Sequence, residues 1–295
     1  MKKIAYLASR VTLPGSMIRR TDAFEHDNMM DALRGPFEAR GMRVEDIAWD
    51  DPKADWASYA AVIIGTTWDY WDHLEKFLAT LERIETQTNL YNGAALVKWN
   101  GRKTYLRELE AKGAKLIPTL WLDVCDEAAV KAAFDTLGSD DVVFKRQVGA
   151  GAKDQHRLKR GEPVPNMPHP MMAQPFLPMI QTEGELSFIF IDGSFCHALI
   201  KRAQPGDYRI QSTYGGREEK ITPSADDLAA ARAIIGTLDE APLYGRVDML
   251  RGPDGGLLLM ELEVIEPYLY PIEGPELGQR MADAVSIRLM KQAAS

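Results

Sequence analysis

Between Tyr244 and Tyr270 the chain reads YGRVDMLRGPDGGLLLMELEVIEPYLY, where acidic and basic residues alternate with apolar ones. Two β-rich runs, Gly245 to Arg251 and Leu257 to Ile265, flank Gly252-Pro253-Asp254-Gly255-Gly256, and such a cluster predicts a hairpin turn. Side chains alternate along a strand, so Arg246 and Asp248 share one face, as do Glu261 and Glu263. With a four-residue loop, Pro253 to Gly256, Asp248 falls opposite Glu261 and Arg246 opposite Glu263, and three carboxylates converge. The other face, with Val247, Met249, Leu258, Met260, Leu262 and Val264, is expected to pack inward.

Carboxylates held together repel one another unless a cation sits among them. A hard divalent ion such as Mg²⁺ or Mn²⁺ takes oxygen ligands and is commonly shared between one or two carboxylates and substrate phosphates. Asp248, Glu261 and Glu263 are therefore candidate metal ligands. A solvated strand face with a structural Arg246–Glu263 ion pair accounts for the same residues, and the hairpin alone does not choose between the two.

Composition narrows the class. A chain of 295 residues is long enough for two or three α/β lobes, each with a core. The formal net charge of -8 argues against a general nucleic-acid or anionic-membrane binder, so any phosphate site must be a local basic pocket. Cys125 and Cys196 are far apart and lack metal-ligand spacing, and they read as buried thiols in a reducing cytoplasm. The first apolar run ends too soon for a signal segment, and no run approaches a membrane span. His26, His73, His156, His169 and His197 form no recognisable dyad.

The elements that must position these groups follow in order. Lys3 to Ala8, Arg43 to Ala48 and Ala61 to Gly65 read as strands, with a polar loop from Arg10 to Asp27 and a helix from Asn28 to Arg40. Strand, helix, strand order predicts a small parallel sheet, whose ligands gather at the C-terminal strand ends. Thr66-Thr67-Trp68-Asp69-Tyr70 follows such an end. Trp68, Asp69 and Tyr70 are candidate substrate residues, because aromatic faces beside a carboxylate suit a small zwitterion carrying an amine. Helix capping and packing would use the same residues. A helix from Trp71 to Thr86 and a short strand, Leu90 to Asn92, complete this part.

Ala94 to Gly113 carries Lys98, Arg102 and Lys103 on helical segments, and Ile117-Pro118-Thr119 opens a new lobe. After a helix from Asp126 to Leu137, the strand Asp141 to Lys145 delivers Lys145 to the loop Gly149-Ala150-Gly151-Ala152. Glycines let backbone N–H groups approach phosphate oxygens, and a neighbouring lysine adds charge. No Gly-Lys-Ser/Thr follows, so this is not a Walker loop, and a plain tight hairpin would also explain the glycines. Met171 to Phe176 is a strand leading through Leu177-Pro178 to Glu183-Gly184-Glu185. Leu186 to Ile191 and Phe195 to Ile200 form a hairpin around Asp192-Gly193-Ser194, followed by Lys201 and a long loop with Arg209 and Gly215-Gly216. Asp226 to Leu238 and Leu277 to Lys291 are helices.

The order of Lys103, Lys145 with its glycine loop, the Met171 to Leu177 connector, Lys201, Arg209, Asp248 and Glu261-Leu262-Glu263 resembles the ATP-grasp superfamily, in its glutathione synthetase and ribosomal S6 modification branch. TTWDY, VKWNGRKTYL, QPFLP, TEGELSFIF, GDYRIQ and MELEVIEP extend the resemblance to the D-cycloserine synthetase (O-ureido-D-serine cyclo-ligase) family across nearly the whole chain. The resemblance implies a small parallel-sheet domain over residues 1–93 and two α+β lobes, 94–176 and 177–295, that clasp ATP. It places Lys103 and Lys145 on ATP, Gly149 and Gly151 in a loop over the phosphates, Gln174, Phe176 and Leu177 at adenine, and Glu185 at the ribose. Arg209 would face the transferred phosphate with Lys201 beside it, Arg246 would join them in catalysis, and Asp248, Glu261 and Glu263 would hold the metal. The superfamily usually has Asn where Glu263 stands, which leaves Glu263 either a ligand or the partner of Arg246.

The expected chemistry is ATP- and Mg²⁺-dependent activation of a small amino-acid-like carboxylate as an acyl phosphate, attacked by an amine or an internal nitrogen. A nucleotide-binding module without ligase activity and a small-molecule kinase on the same fold are the alternatives. Nucleic acid and membrane are not expected partners, and a homodimer is left open.

Overall fold

The computed structural model describes residues 1–149, 151–210 and 214–293. Ala150 of the glycine loop and Gln211, the end of GDYRIQ, lie outside the described residues. Three sheets organise the chain.

The first is parallel, with strand order β2-β1-β3-β4, from β1 (Lys2–Ala8), β2 (Met42–Ala48), β3 (Ala61–Ile64) and β4 (Asn89–Tyr91). Its helices are α1 (Phe24–Glu38) and α2 (Leu74–Glu85). Helix α1 begins before the expected Asn28, because His26 starts the buried stripe that continues through Met29, Met30, Leu33 and Phe37. Residues Tyr70–Asp72 form a separate 3₁₀ turn rather than the start of α2.

Two short helices, α3 (Ala94–Asn100) and α4 (Tyr105–Ala111), lie along the edge of the last sheet. The Tyr105 hydroxyl donates to the Leu262 carbonyl at 2.9 Å and accepts from the Leu262 N–H at 2.8 Å, while Asn100 Nδ2 donates to the same carbonyl. An edge that would otherwise present free backbone groups is thereby closed by side chains.

The second sheet is antiparallel, with order β5-β8-β6-β7, from β5 (Leu120–Leu122), β6 (Asp141–Arg146), β7 (His156–Lys159) and β8 (Met171–Pro175). It packs on α5 (Glu127–Leu137), which Asp126 caps by accepting from the Ala129 N–H and which ends at Gly138 with φ 59°.

The third sheet has order β11-β10-β9-β12-β13, from β9 (Glu185–Ile191), β10 (Ser194–Arg202), β11 (Arg217–Ile221), β12 (Tyr244–Arg251) and β13 (Leu257–Glu263). A single helical turn, α6 (Met179–Thr182), stands where a loop was expected, and β11 uses the end of the long loop after Lys201. Helix α7 (Ala225–Ile235) covers one face, and α8 (Leu277–Ala293) packs across α1.

The β12–β13 hairpin holds the expected partners by an unexpected route. Arg251 pairs with Leu257, so the turn spans Gly252 to Gly256, and a straight ladder from there would put Met260 opposite Asp248. A bulge intervenes, because Met249 pairs with Leu259 while Asp248 pairs with Glu261. The extra residue, Met260, restores the register and reverses the phase of the strand. Leu257, Leu259, Leu262 and Val264 therefore enter the core, whereas Leu258 and Met260, expected there, turn to the other face.

Candidate active site

One face of the third sheet carries a ladder of alternating charge. Glu185 on β9 lies opposite Lys201 on β10, Ser187 opposite Asp248 on β12, and Arg246 opposite Glu263 on β13. The Lys201 ammonium contacts the Glu185 carboxylate and lies 3.4 Å from Asp248 Oδ1. Arg246 bonds Asp248 through Nε at 3.0 Å and Nη2 at 2.9 Å, and reaches Glu263 Oε1 with Nη2 at 2.5 Å. Further along, the same face turns apolar and packs Ile189, Ile191, Leu199 and Tyr244 into the core of the first sheet. That packing seats the N-terminal unit over the ladder.

Burial sets the electrostatics. Desolvation pushes the Glu185 and Glu263 carboxyls up to about 7 even though Lys201 and Arg246 pull them down. Asp248, equally desolvated, is held down at about 2 because Arg246, Lys201 and Ser187 all favour its charged form.

One cavity runs over this ladder between the two antiparallel sheets and the N-terminal unit. At one end Ile117, Ile180, Leu250 and Ile210 form an apolar slot with Phe176, Leu177 and Met260. Gln174 lies in its wall, buried, with Nε2 donating to Thr119 Oγ1 at 2.9 Å. The Arg157 guanidinium, fixed by Asp141, stacks 3.3 Å from the Phe176 ring centroid and stiffens that wall.

The middle of the cavity is basic. The Lys103 N–H donates to the Gln147 carbonyl at 2.8 Å, and its ammonium pairs with Glu261. Burial lowers the Lys103 pKa, but Glu261, Glu263 and Glu266 outweigh that and raise it. Lys145 makes no ion pair among the described residues, and burial depresses its pKa to about 8. Gly149 (φ 153°) and Gly151 (φ 61°) stand beside it in the cavity wall, in backbone conformations that suit glycine. Lys153, just beyond, pairs with Asp72 of the N-terminal unit at 2.9 Å.

The three expected metal ligands share one cavity without forming a preassembled cluster. Asp248, Glu261 and Glu263 all line the cavity, but among the described residues no three His, Cys, Asp or Glu side chains stand close enough to hold one ion. Asp248 is committed within the sheet to Arg246, Lys201 and Ser187. Glu261 and Glu263 keep 27% and 23% of their side-chain surface exposed toward the cavity, and their oxygens are the donor type that Mg²⁺ takes. These two fit a divalent ion, with the remaining positions left to phosphate and water.

At the far end the structure separates residues the sequence grouped. Trp68 lines the cavity, where the Arg20 guanidinium lies 5.5 Å from its ring. Asp69 does not line it: its Oδ1 accepts from Trp49 Nε1 at 2.7 Å, on the other side of the strand end. Tyr70 is buried against Trp71 and Phe77 and borders only a small recess behind Glu261 and Glu263. The three side chains part because the chain turns after β3 and enters a 3₁₀ turn at Tyr70. Arg209 lines the cavity on the long loop, paired with Asp207 at 2.8 Å and stacked 3.8 Å from Tyr214, with no contact to Lys201.

Sequence reasoning missed Arg20 and Asp22 from the first loop, Glu25 at the start of α1, Trp71, and Glu266, Tyr268 and Tyr270 after β13. The Arg19-Arg20 pair and the run EPYLY directly behind the acidic strand were the available signals.

An apolar slot, a basic middle and an acidic floor between two antiparallel lobes are the arrangement expected of an ATP-grasp ligase. Known proteins agree. A family model described as the N-terminal domain of D-cycloserine synthetase DcsG matches residues 4–92. Cycloserine biosynthesis protein DcsG of Streptomyces lavendulae is 30% identical over 270 residues, covering 84% of this chain and 90% of that protein. A crystal structure of D-cycloserine synthetase DcsG superposes with a TM-score of 0.83 at 26% identity, over 97% of this chain and 99% of that one. The ATP-grasp ligase PsnB, complexed with a minimal precursor variant, Mg and ADP, shares the fold at 17% identity and TM-score 0.64, over 98% and 99% of the two chains. The chain belongs to the D-cycloserine synthetase family of ATP-grasp ligases.

Proposed function

We propose that this protein uses ATP and Mg²⁺ to activate the carboxylate of a small amino-acid-like substrate as an acyl phosphate, which an amine or an internal nitrogen then attacks. The supporting observation is Lys145: a cavity-lining lysine without an ion pair among the described residues, beside the glycine loop and facing the Lys103–Glu261 pair, calls for an anionic ligand such as a triphosphate. The apolar slot would take adenine, with Gln174, Phe176 and Leu177 at its wall. Glu261 and Glu263 would hold Mg²⁺, which supplies charge neutralisation on the phosphates.

The chain's own groups do the rest. Arg246 and Arg209 orient the substrate carboxylate and offset charge as its oxygen bonds to the γ-phosphorus and the bridging oxygen departs with ADP. The nitrogen then attacks the acyl carbon, the bond to phosphate oxygen breaks, and phosphate leaves. Ring closure, as the name of D-cycloserine synthetase implies for that protein, is the internal-nitrogen version. An acyl phosphate hydrolyses readily, and the Lys153–Asp72 contact supports a role for the glycine loop in excluding water. Among the described residues no helix is long and apolar enough to cross a membrane. The two free cysteines support the reducing cytoplasm as its location.

Incubation with ATP, Mg²⁺, an amino-acid panel and hydroxylamine tests the reading. A trapped hydroxamate is expected. A stable phosphorylated product would make the protein a kinase, and ATP binding without either product would make it a nucleotide-binding module.

A further inference from the structure

We infer that Glu266 receives the protonated amino group of the substrate, so that the protein selects acids bearing a free primary amine. This rests on the ligase reading above.

Glu266 follows β13 and is only 8% exposed, yet it lines both the main cavity and the small recess behind it. Its carbonyl accepts from Trp68 Nε1 at 3.1 Å. Its carboxylate has no hydrogen bond or ion pair among the described residues, unlike the acids of the ladder and Asp22. Asp248 and Glu263 are held by Arg246, Glu185 by Lys201, Glu261 by Lys103, and Asp22 by Arg20. A buried carboxylate with no donor is costly, and the cations nearest it, Lys103 and Arg246, already hold Glu261, Glu263 and Asp248, so a cationic group of the ligand is the partner that fits.

Two cation types are available, a metal ion and an ammonium. The Mg²⁺ position is already filled by the reading above, on Glu261 and Glu263, whose side chains are partly exposed toward the cavity, whereas Glu266 is only 8% exposed. An ammonium needs one carboxylate and gains from aromatic faces. Trp68, Trp71 and Tyr268 line the same end of the cavity. Burial, reinforced by Glu263 and Glu261, raises the Glu266 pKa well above the ordinary carboxylate value, and a bound ammonium would offset this. Glu266 thus takes the part that the sequence suggested for Asp69, whose carboxylate is turned to Trp49.

Hydroxamate formation from ATP, Mg²⁺ and hydroxylamine should be compared for amino acids of both configurations, each free and N-acetylated, with wild-type protein, Glu266→Gln and Glu266→Asp. Wild type is expected to turn over a free acid and to reject its N-acetyl form. In Glu266→Gln the KM for that acid should rise about 10–100-fold, while the KM for ATP and the Mg²⁺ requirement stay within about twofold. Glu266→Asp, which keeps the charge, should recover part of the loss. Equal use of N-acetylated acids, an unchanged KM in Glu266→Gln, or a raised Mg²⁺ requirement in its place would overturn the inference and leave the ligase reading standing. No hydroxamate from any acid would overturn that reading and the inference together. Should Glu266→Gln fail to fold, the wild-type comparison of free and acetylated acids decides.

Discussion

Arg246 on β12 faces Glu263 on β13 across the sheet, with Nη2 2.5 Å from Oε1, while its Nε and Nη2 both bond Asp248. One guanidinium therefore neutralises two buried acids. Arg246→Leu leaves Glu263 without a cation and Asp248 with only Lys201 and Ser187, and should cost about 3–5 kcal/mol in urea-monitored unfolding, along with all turnover. Glu263→Asn, the residue usual in the superfamily, leaves Asp248 in place and should cost less than half as much. Equal losses in the two variants would mean that Arg246 is not shared.

Glu261 is the acid best placed to act outside the sheet, since it is partly exposed and its only ion pair among the described residues is with Lys103. Glu261→Gln keeps its shape and a hydrogen-bond acceptor for Lys103, so unfolding should change by less than about 1 kcal/mol. Turnover should fall by at least about a hundredfold at any Mg²⁺ concentration. Wild-type rates in the variant would remove the metal assignment.

Lys145 gives a pH dependence of definite sign. Its pKa in the folded chain, about 8, lies below the value of 10.5 usual for lysine, so between these pH values the unfolded chain holds a proton that the folded chain lacks. Stability then rises with pH across that window, by about 1–3 kcal/mol from this residue. The difference between wild type and Lys145→Met in urea unfolding isolates it. Saturating ATP should abolish the rise, because phosphate oxygens return the ammonium to its charged form.

Much of this site was legible in the sequence because it lies on regular strands. Alternation alone put Arg246, Asp248, Glu261 and Glu263 on one face, and the family resemblance supplied Lys103, Lys145 and the Gln174 to Leu177 connector, all of which line the cavity. The hairpin shows how a right pairing can follow from a wrong turn. The loop was misjudged, and the Met260 bulge, which no spacing rule announces, restored the register while turning Leu258 and Met260 to the other face. Asp69 failed for a different reason. It stands at the entrance to a 3₁₀ turn, where no simple facing rule applies, and its partner Trp49 is 20 residues away. Glu266 was overlooked because its significance is a missing donor, which appears only when three-dimensional neighbours are known.

The N-terminal unit is fastened by backbone contact between α1 and α8. A Cβ at Gly278 would lie 1.9 Å from the Ala32 carbonyl oxygen, and backbone cannot swing aside as a side chain can. That carbonyl sits four residues before Pro36, which has no N–H to offer it. Gly278→Ala should therefore destabilise the fold by about 1–3 kcal/mol by forcing the helices apart. The KM for ATP should not change, since neither helix reaches the nucleotide slot. A shift in KM without loss of stability would place α8 in the site.

The glycine loop separates conformational strain from crowding. A Cβ at Gly151 would meet open space, so a substitution there acts only through its φ of 61°. In that left-handed region a β-branched residue pays about 1–2 kcal/mol, and alanine less. Gly151→Val should therefore pull the loop out of shape where Gly151→Ala does so weakly. Among the described residues the loop contributes nothing to the hydrophobic cores, so Tm should stay put in both variants. What should change is commitment: with the phosphates less well covered, water competes for the acyl phosphate, and the ratio of ADP released to product formed should climb in Gly151→Val. Asp72→Asn provides the comparison, because its pair with Lys153 is half-exposed and worth only about 0–1 kcal/mol. A ratio that rises in Asp72→Asn and not in Gly151→Val would shift the closing function from the glycine backbone to that ion pair.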